Sequence, residues 1–186
     1  MSTGVDNTKV VTGKVRFSYA HVFEPASING SDEKYSVSIL IDKNDAKTLS
    51  DIRGAIENAT RVGVVKLGGK IPANLKTPLR DGDVEREDDE NYRGCYFVNA
   101  NSKTKPGVVD DRCRPIIDST EFYSGCYGYA SITFYAFNTN GNKGIACGLN
   151  NIMKTADGEP LGGRARAEDD FKGLYNAANV EDDFLS

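Results

Sequence analysis

Between positions 76 and 114 the sequence interleaves cationic side chains with aromatic ones. Binding a single-stranded nucleic acid without sequence preference needs both, because cations follow the phosphates while flat rings stack on unpaired bases, at about 1–3 kcal/mol per base. A single exposed Lys or Arg is more often an ordinary solvated charge, so the prediction concerns the cluster. The candidate contacts in this stretch are Lys76, Arg80, Tyr92, Arg93, Tyr96, Lys103, Lys105, Arg112 and Arg114.

Further candidates come from the alternation of side chains along predicted strands. Successive strand residues point to opposite faces, so either Tyr96 or Phe97 must face the core. In the strand predicted over 126–137, the face opposite Ala130, Ile132 and Phe134 is rich in tyrosine. It is either a stacking platform or an outer surface covered by a loop. This pattern adds Tyr127, Tyr129 and Arg16 as candidates; the weaker ones are Lys34, Arg61 and Lys66.

The net charge of −4 conceals a segregation of charge along the chain. One acidic block, 81–90, holds seven acids and Arg86, and a second, 167–186, holds six acids and Lys172. The rest of the chain carries a net charge of +7. An acidic overall balance therefore does not exclude a nucleic-acid partner for the basic body.

The second acidic block predicts a flexible tail over 167–186, following one domain over 1–166. Acids on a tether compete with phosphates for a basic groove at high effective concentration. The end of the tail would then be free to recruit replication proteins when DNA fills the groove. The alternative is a terminus that only keeps the protein soluble. The residues expected to act in the tail are Glu181, Asp182, Asp183 and Phe184.

The elements that must position these residues are mostly short strands. Alternation predicts strands over 10–23, with Val11, Val15, Phe17 and Tyr19 inward, and over 35–41, with Tyr35, Val37, Ile39 and Ile41 inward. Helical spacing predicts a helix over 45–62 with Asn44 or Asp45 as its N-cap. Further strands are predicted over 94–100, 126–137 and 144–149. Asn29-Gly30 supplies turn chemistry between the first two strands, and the turn residues over 138–142 predict a hairpin.

This pattern favours a mainly β fold, a five-stranded antiparallel barrel of the OB type with one interpolated helix. An immunoglobulin-like sandwich remains nearly as compatible with the periodicity. No apolar run has the roughly 18 residues of a membrane span, and the N-terminus lacks the pattern of a signal peptide, so a cytosolic protein is expected. The oligomeric state is left open, including a homo-oligomer.

Catalysis and metal binding have little support in the sequence. The four cysteines are widely spaced and His21 is the one histidine, so we expect free thiols, no zinc site, no cofactor and no catalytic residues. A metal-dependent nuclease using Asp81, Asp83 and Glu85, or Asp110, Asp111 and Asp118, is a minor alternative. A structural β-protein of a virion is the other alternative.

Four motifs occur in order along the chain: 77–83 (TPLRDGD), 94–103 (GCYFVNANSK), 141–151 (GNKGIACGLNN) and 157–163 (DGEPLGG). Together they resemble a family of phage-encoded proteins formerly described as a domain of unknown function, akin to the helix-destabilising proteins of T-odd phages. The resemblance covers roughly residues 9 to 171. It implies an OB fold, binding of single-stranded DNA during replication or recombination in the cytoplasm of an infected bacterium, and a regulatory acidic C-terminus. Related tails end on the aromatic residue, whereas here Leu185-Ser186 follows Phe184.

Overall fold

The computed structural model describes residues 7–27 and 32–161, and this part of the chain contains eight strands and two helices. The predictions for residues 28–31, including the Asn29-Gly30 turn, and for 162–186, including the tail, lie outside the described residues. The elements are β1 Lys9–Val11, β2 Val15–Ala26, β3 Lys34–Asp42, α1 Ala46–Val62, β4 Arg80–Asp81, α2 Gly82–Glu85, a 3-10 turn Glu90–Tyr92, β5 Cys95–Ser102, β6 Gly107–Val109, β7 Tyr127–Thr139 and β8 Asn142–Ala156.

The five long strands close on themselves. β2 pairs with β3, β3 with β5, β5 with β8, β8 with β7, and β7 returns to β2. All of these pairings are antiparallel except β5–β8, which is parallel and is recorded over two residue pairs, Ala100 with Cys147 and Asn101 with Gly148. A closed five-stranded barrel of this kind is an OB barrel, whose strands 1 to 5 are β2, β3, β5, β7 and β8. The predicted fold class is confirmed.

The interior of the barrel is filled by one face of each long strand, as the predicted alternation requires. Val37, Ile39 and Ile41 of β3 are buried as expected, while Tyr35 is half-buried. Helix α1 packs into the same core through its apolar stripe. Asp45 caps this helix, because its side chain accepts a hydrogen bond from the Thr48 backbone N–H at 3.2 Å.

Two inward residues predicted for the first strand point outward instead. The chain breaks at 12–14 into β1 and β2, so Val10 and Thr12 are buried while Val11 is exposed. Farther along β2, the register with β3 shifts between Ser18 and His21, and Tyr19 adopts a φ of +48°. This irregularity turns the ring out, leaving Tyr19 43% exposed. The prediction for Val11 and Tyr19 was therefore wrong.

The predicted hairpin joins β7 to β8 and is confirmed. Its two loop residues, Asn140 and Gly141, have φ values of +52° and +82°, as a type I′ loop requires. Both strands are longer than the sequence pattern suggested. Among the described residues, no helix is long and apolar enough to cross a membrane. The four cysteines are free thiols, as expected, and Cys126 and Cys147 are buried.

Candidate nucleic-acid interface

The tyrosine-rich face of β7 lies on the outside of the barrel. Ala130, Ile132 and Phe134 fill the core behind it, whereas Tyr129 and Tyr135 are 38% and 45% exposed. The rings are therefore open to solvent rather than covered. This outer face continues onto β8, where the Asn150 side-chain amide donates to the Thr133 hydroxyl at 2.9 Å.

Two adjoining cavities, of about 470 and 420 Å³, form what we call the main groove. They share Lys34 and Asn101, so the groove is continuous across the outer face of the barrel. Barrel strands 2 and 3, here β3 and β5, provide most of its polar lining, which is the face that OB folds use to bind oligonucleotides. The charged and aromatic side chains along it are Tyr19, His21, Asp32, Lys34, Arg86, Lys103 and Tyr135.

Arg86 presents a cationic plane at one end of the main groove. Its guanidinium carbon lies 5.8 Å from the ring centre of Tyr19, 5.4 Å from that of Tyr92 and 5.6 Å from that of Phe97. It is the one base of the acidic block 81–90, yet within the described residues it forms no ion pair with a carboxylate. The exposed guanidinium is thus supported by rings and available to a ligand.

Tyr92, a predicted stacking residue, lies in the interior instead. It is fully buried against Phe97 in an edge-to-face arrangement, with ring centres 5.0 Å apart. Its hydroxyl donates to the Ser38 side-chain oxygen at 2.9 Å, and burial raises the pKa of the phenol. The prediction that Tyr92 stacks on a base is wrong, because its ring is buried among protein atoms and cannot reach a ligand. Tyr92 supports Arg86 from below.

Three predicted contacts, Arg16, Arg93 and Tyr127, meet in another cavity of about 420 Å³, which we call the Tyr127 cleft. Lys14 also lines it, and the cations of Lys14 and Arg16 lie 5.4 and 5.2 Å from the Tyr127 ring centre. The Arg16 guanidinium, however, donates to the backbone oxygens of Gly125 and Glu159, at 3.0 and 2.8 Å. Two carboxylates, Asp42 and Glu90, share the cleft, and Arg93 lies 4.0 Å from Glu90.

The other predicted contacts are distributed over the surface; among the described residues, Lys103 of the main candidates and Lys34 of the weaker ones line the main groove. Arg80 pairs with Glu85 at 3.1 Å and Arg114 with Asp110 at 3.0 Å. Tyr96 is half-buried beneath the cations of Lys43 and Arg53, and the Lys105 ammonium lies over the Phe23 ring. Arg112 is exposed. The backbone oxygen of Lys76 accepts a hydrogen bond from the amide of Ile145, near the start of β8.

Asp81, Asp83 and Asp110, three of the acids considered for a nuclease, are bound by protein donors. Lys43 lies 2.8 Å from Asp81 and 2.7 Å from Asp83, and its hydrogen bond, with that of the Gly94 amide, lowers the pKa of Asp83. Asp110 accepts hydrogen bonds from the backbone of Arg114 and Arg112, which likewise lower its pKa. In residues 7–27 and 32–161, no group of three or more His, Cys, Asp or Glu side chains is arranged to hold a metal ion.

The relationship to known proteins is decided by a family model described as the single-stranded-DNA-binding protein of Enterobacter phage Enc34, which matches residues 8–185. The chain belongs to this family. A curated relative, putative protein p50 of Acyrthosiphon pisum secondary endosymbiont phage 1, is 29% identical over 182 residues, covering 93% of this chain and 97% of its own.

Solved structures of the Enc34 family and beyond share the fold. The Enc34 protein in complex with single-stranded DNA superimposes with a TM-score of 0.75 at 25% identity, covering 83% of this chain and 90% of that one. The single-stranded-DNA-binding protein gp2.5 of bacteriophage T7 gives 0.60 at 16% identity, over 89% of this chain and 93% of that one. The resemblance stated from the sequence motifs is confirmed, and the T7 likeness concerns the fold.

Three groove residues escaped the sequence prediction of contacts, and each had a different reason. Tyr135 lies on the tyrosine-rich face of β7 that the alternation identified, so its signal was present. Tyr19 was assigned to the core because alternation cannot reveal the irregularity in β2. Arg86 was counted within an acidic block, and nothing in that block indicates that its partners are rings from β2, the 3-10 turn and β5.

Proposed function

We propose that this protein, which belongs to a family whose Enc34 member is a single-stranded-DNA-binding protein, binds single-stranded DNA in the main groove and does so without sequence preference. Bases stack on Tyr19, Arg86 and Tyr135, while Lys34 and Lys103 neutralise phosphates. One observation carries the proposal: exposed rings and cations line one continuous groove on the strand 2–3 face of an OB barrel.

The composition of the groove accounts for the kind of ligand. Stacking on exposed rings requires unpaired bases, which a single strand supplies and a duplex does not. The floor is made of short polar side chains, among them Ser36, Asn99 and Asn101. Hydroxyl and amide groups both donate and accept hydrogen bonds, so they can satisfy the edges of any base. Binding without sequence preference follows.

The acidic terminus has a regulatory part in the proposal. Residues 167–186 compete with phosphates for the cations of the groove, and DNA binding releases them. Glu181, Asp182 and Asp183 supply the competing charge, and Phe184 contacts a phage or host replication protein. The protein coats DNA during phage replication or recombination in the host cytoplasm, and it needs no cofactor and performs no catalysis.

The experiment that tests this function is a titration of fluorescently labelled oligo-dT, followed by anisotropy and gel shift. We expect binding that weakens as salt rises, because counterions are released from the phosphates. Deleting 167–186 should tighten binding, and weaker binding after the deletion would contradict the competition. An unshifted oligonucleotide would favour a virion protein, and metal-dependent cutting of it would favour a nuclease.

Tyrosine emission provides an independent measurement of stacking. The chain has nine tyrosines and no tryptophan, so its emission reports on tyrosine. Quenching by unlabelled oligo-dT, reduced in Tyr135→Ala, is the expected result. Equal quenching in the variant would exclude Tyr135 as a stacking residue.

A further inference from the structure

The acidic block 81–90 contributes only Arg86 to the proposed function, although nearly all of it lies in one loop between two paired strands. This loop, residues 82–94, leaves β4 and returns to β5, and we call it the Arg86 loop. Near its end, the Tyr92 ring is buried in one cluster with Leu40 and Phe97. The position of Arg86 in the main groove therefore depends on how the rest of the loop is held.

Both ends of the Arg86 loop are joined to Lys43, the residue that follows β3. The Lys43 ammonium lies 2.7 Å from a carboxylate oxygen of Asp83, at the start of the loop, and 2.8 Å from one of Asp81, just before it. The Lys43 backbone N–H donates to the oxygen of Gly94, at the end of the loop, at 3.0 Å. The Gly94 N–H in turn donates to the Asp83 carboxylate at 3.0 Å. These contacts close a ring of hydrogen bonds at the base of the loop.

The start of the loop also packs tightly against its end. Gly82 is buried, and an added Cβ there would lie 2.4 Å from the Tyr92 backbone oxygen and 2.7 Å from that of Cys95. Asp83 and Arg86 belong to the same short helical turn, because the Arg86 N–H donates to the Gly82 oxygen at 3.0 Å. A displacement of Asp83 therefore moves Arg86, three residues farther along the chain.

Lys43 is placed to hold the loop rather than to bind DNA. Within the described residues, it lines neither cavity of the main groove, and its ammonium already binds two carboxylates. Hydrogen bonding to Asp81 and Asp83 raises the pKa of Lys43, and hydrogen bonds from Lys43 and the Gly94 amide lower the pKa of Asp83. Both partners of the ion pair are therefore charged at neutral pH.

We infer that Lys43 and Asp83 are positioning residues for DNA binding, because their ion pair holds the Arg86 loop so that the Arg86 guanidinium stands in the main groove. The inference rests on the proposed function. It gives acidic residues a part in binding a polyanion, since Asp81 and Asp83 are neutralised by Lys43 and fix the one cation of the block. A contact that is held in its binding position before the ligand arrives loses less entropy on binding.

The test removes a negative charge and measures whether DNA binding weakens. Asp83→Ala in the full chain makes the protein less acidic, so charge alone predicts tighter binding of oligo-dT. We expect binding about three- to tenfold weaker instead, measured by anisotropy at fixed salt, because the loop is released from Lys43. Glu87→Ala is the matched control. Glu87 is exposed in the same loop and forms no ion pair among the described residues, so its removal should not weaken binding.

A double-mutant cycle measures whether the effect passes through Arg86. Lys43→Met retains the backbone bond to Gly94 and should weaken binding about as much as Asp83→Ala. In an Arg86→Ala background, Lys43→Met should change the affinity by less than about twofold, because the side chain that the ion pair positions is absent. A direct contact of Lys43 with phosphate would give the same loss in both backgrounds.

Lys47→Met is the control for the loss of a positive charge. Lys47 pairs with Asp51 at 2.7 Å on α1, so the variant loses the same charge from a similar ion pair and should bind oligo-dT normally. Urea denaturation of every variant measures any change in the free energy of unfolding, and the loss in Lys43→Met should exceed what the unfolded fraction explains.

Three outcomes would overturn the inference: undiminished binding by Asp83→Ala, an equal loss from Lys43→Met with and without Arg86, or the same loss in Lys47→Met. Each of these leaves the unmodified protein bound to oligo-dT. If the unmodified protein did not bind oligo-dT, the proposed function itself would fail, so the two failures are distinguishable.

Discussion

The main groove and the Tyr127 cleft each combine cations with a tyrosine ring, but their cations differ in what they already bind. In the Tyr127 cleft, Arg16 is held by two backbone oxygens and Arg93 lies beside Glu90. In the main groove, Arg86 lies on three rings, and no carboxylate of the described residues pairs with it. A cation that is already neutralised gives up that partner when it binds a phosphate. Proximity of charge and ring is therefore insufficient evidence of a binding site.

The largest difference between the two sites should appear when their arginines are removed. Arg86→Ala should weaken oligo-dT binding about 5- to 150-fold, because one stacking partner and one cation are lost. Arg93→Ala should change the affinity by less than about threefold, since its charge is already shared with Glu90. Fluorescence anisotropy at fixed salt measures both.

Arg86→Lys is the control for the kind of contact. It retains the charge but lacks the guanidinium plane, so most of the affinity should still be lost. Full affinity in Arg86→Lys would reduce the role of Arg86 to charge. Equal losses in Arg86→Ala and Arg93→Ala would contradict the distinction between the two sites.

A steric probe of the main groove should have the next largest effect. Gly148 lines the groove beside Tyr135, and an added Cβ would make ordinary contacts, 3.4 Å to the Thr133 oxygen and 3.5 Å to the Tyr135 ring. Gly148→Leu should therefore fold while its side chain fills the space for a base, weakening oligo-dT binding about tenfold.

Gly54 provides the matched control for this probe. It lies in α1 with no atom within 4 Å of an added Cβ, away from the main groove. Gly54→Leu should leave the affinity unchanged while the helix gains a little stability. If Gly148→Leu bound DNA normally with an unchanged melting temperature, the strand would not pass Tyr135 on that side.

Removing the cations of either site should have a smaller effect, which is measured as the salt dependence of DNA binding. Replacing Lys34 and Lys103 together by Ala should reduce the slope of log affinity against log salt by about 1.4, at about 0.7 for each phosphate contact to a single strand. The double variant Lys14→Ala, Arg93→Ala in the Tyr127 cleft should leave that slope unaltered. Reductions of the same size in both double variants would make the two regions equal participants.

The smallest effect on binding is expected at Tyr92. Tyr92→Phe removes the hydrogen bond to Ser38 and should lower the free energy of unfolding by about 0.5–1.5 kcal/mol, measured by urea denaturation. DNA affinity should be unchanged, because the ring still supports Arg86. A loss of affinity without a loss of stability would show that the hydroxyl, contrary to its buried position, takes part in binding.

The parts of the fold that the sequence predicted well are those determined by neighbouring residues. Helix α1, its Asp45 cap and the Asn140-Gly141 hairpin depend on local spacing and turn chemistry. The orientation of Tyr19 depends on how β2 registers with β3, which no local pattern contains. Burial of Tyr92 likewise depends on its packing against Phe97 of β5.

The candidate site was harder to predict because a cluster of charges in sequence need not be a cluster in space. The cationic and aromatic residues between 76 and 114 spread over several surfaces once the chain is folded. Lys34 and Lys103 come together because β3 and β5 are paired neighbours, with Tyr35 opposite Ser102. Composition identified the chemistry that a DNA-binding protein requires, and the pairing of strands determined which of these residues share the main groove.

The parallel contact between β5 and β8 closes the barrel through two recorded residue pairs, against eight between β3 and β5. The closure between β2 and β7 is equally short, with two residue pairs, and junctions of this length separate at a lower free-energy cost than the longer pairings. Asn101 and Gly148, which form one of the two pairs, both line the main groove. In the proposed binding mode the DNA strand lies across this junction, so the backbone amides there should exchange with deuterium more slowly once DNA is present.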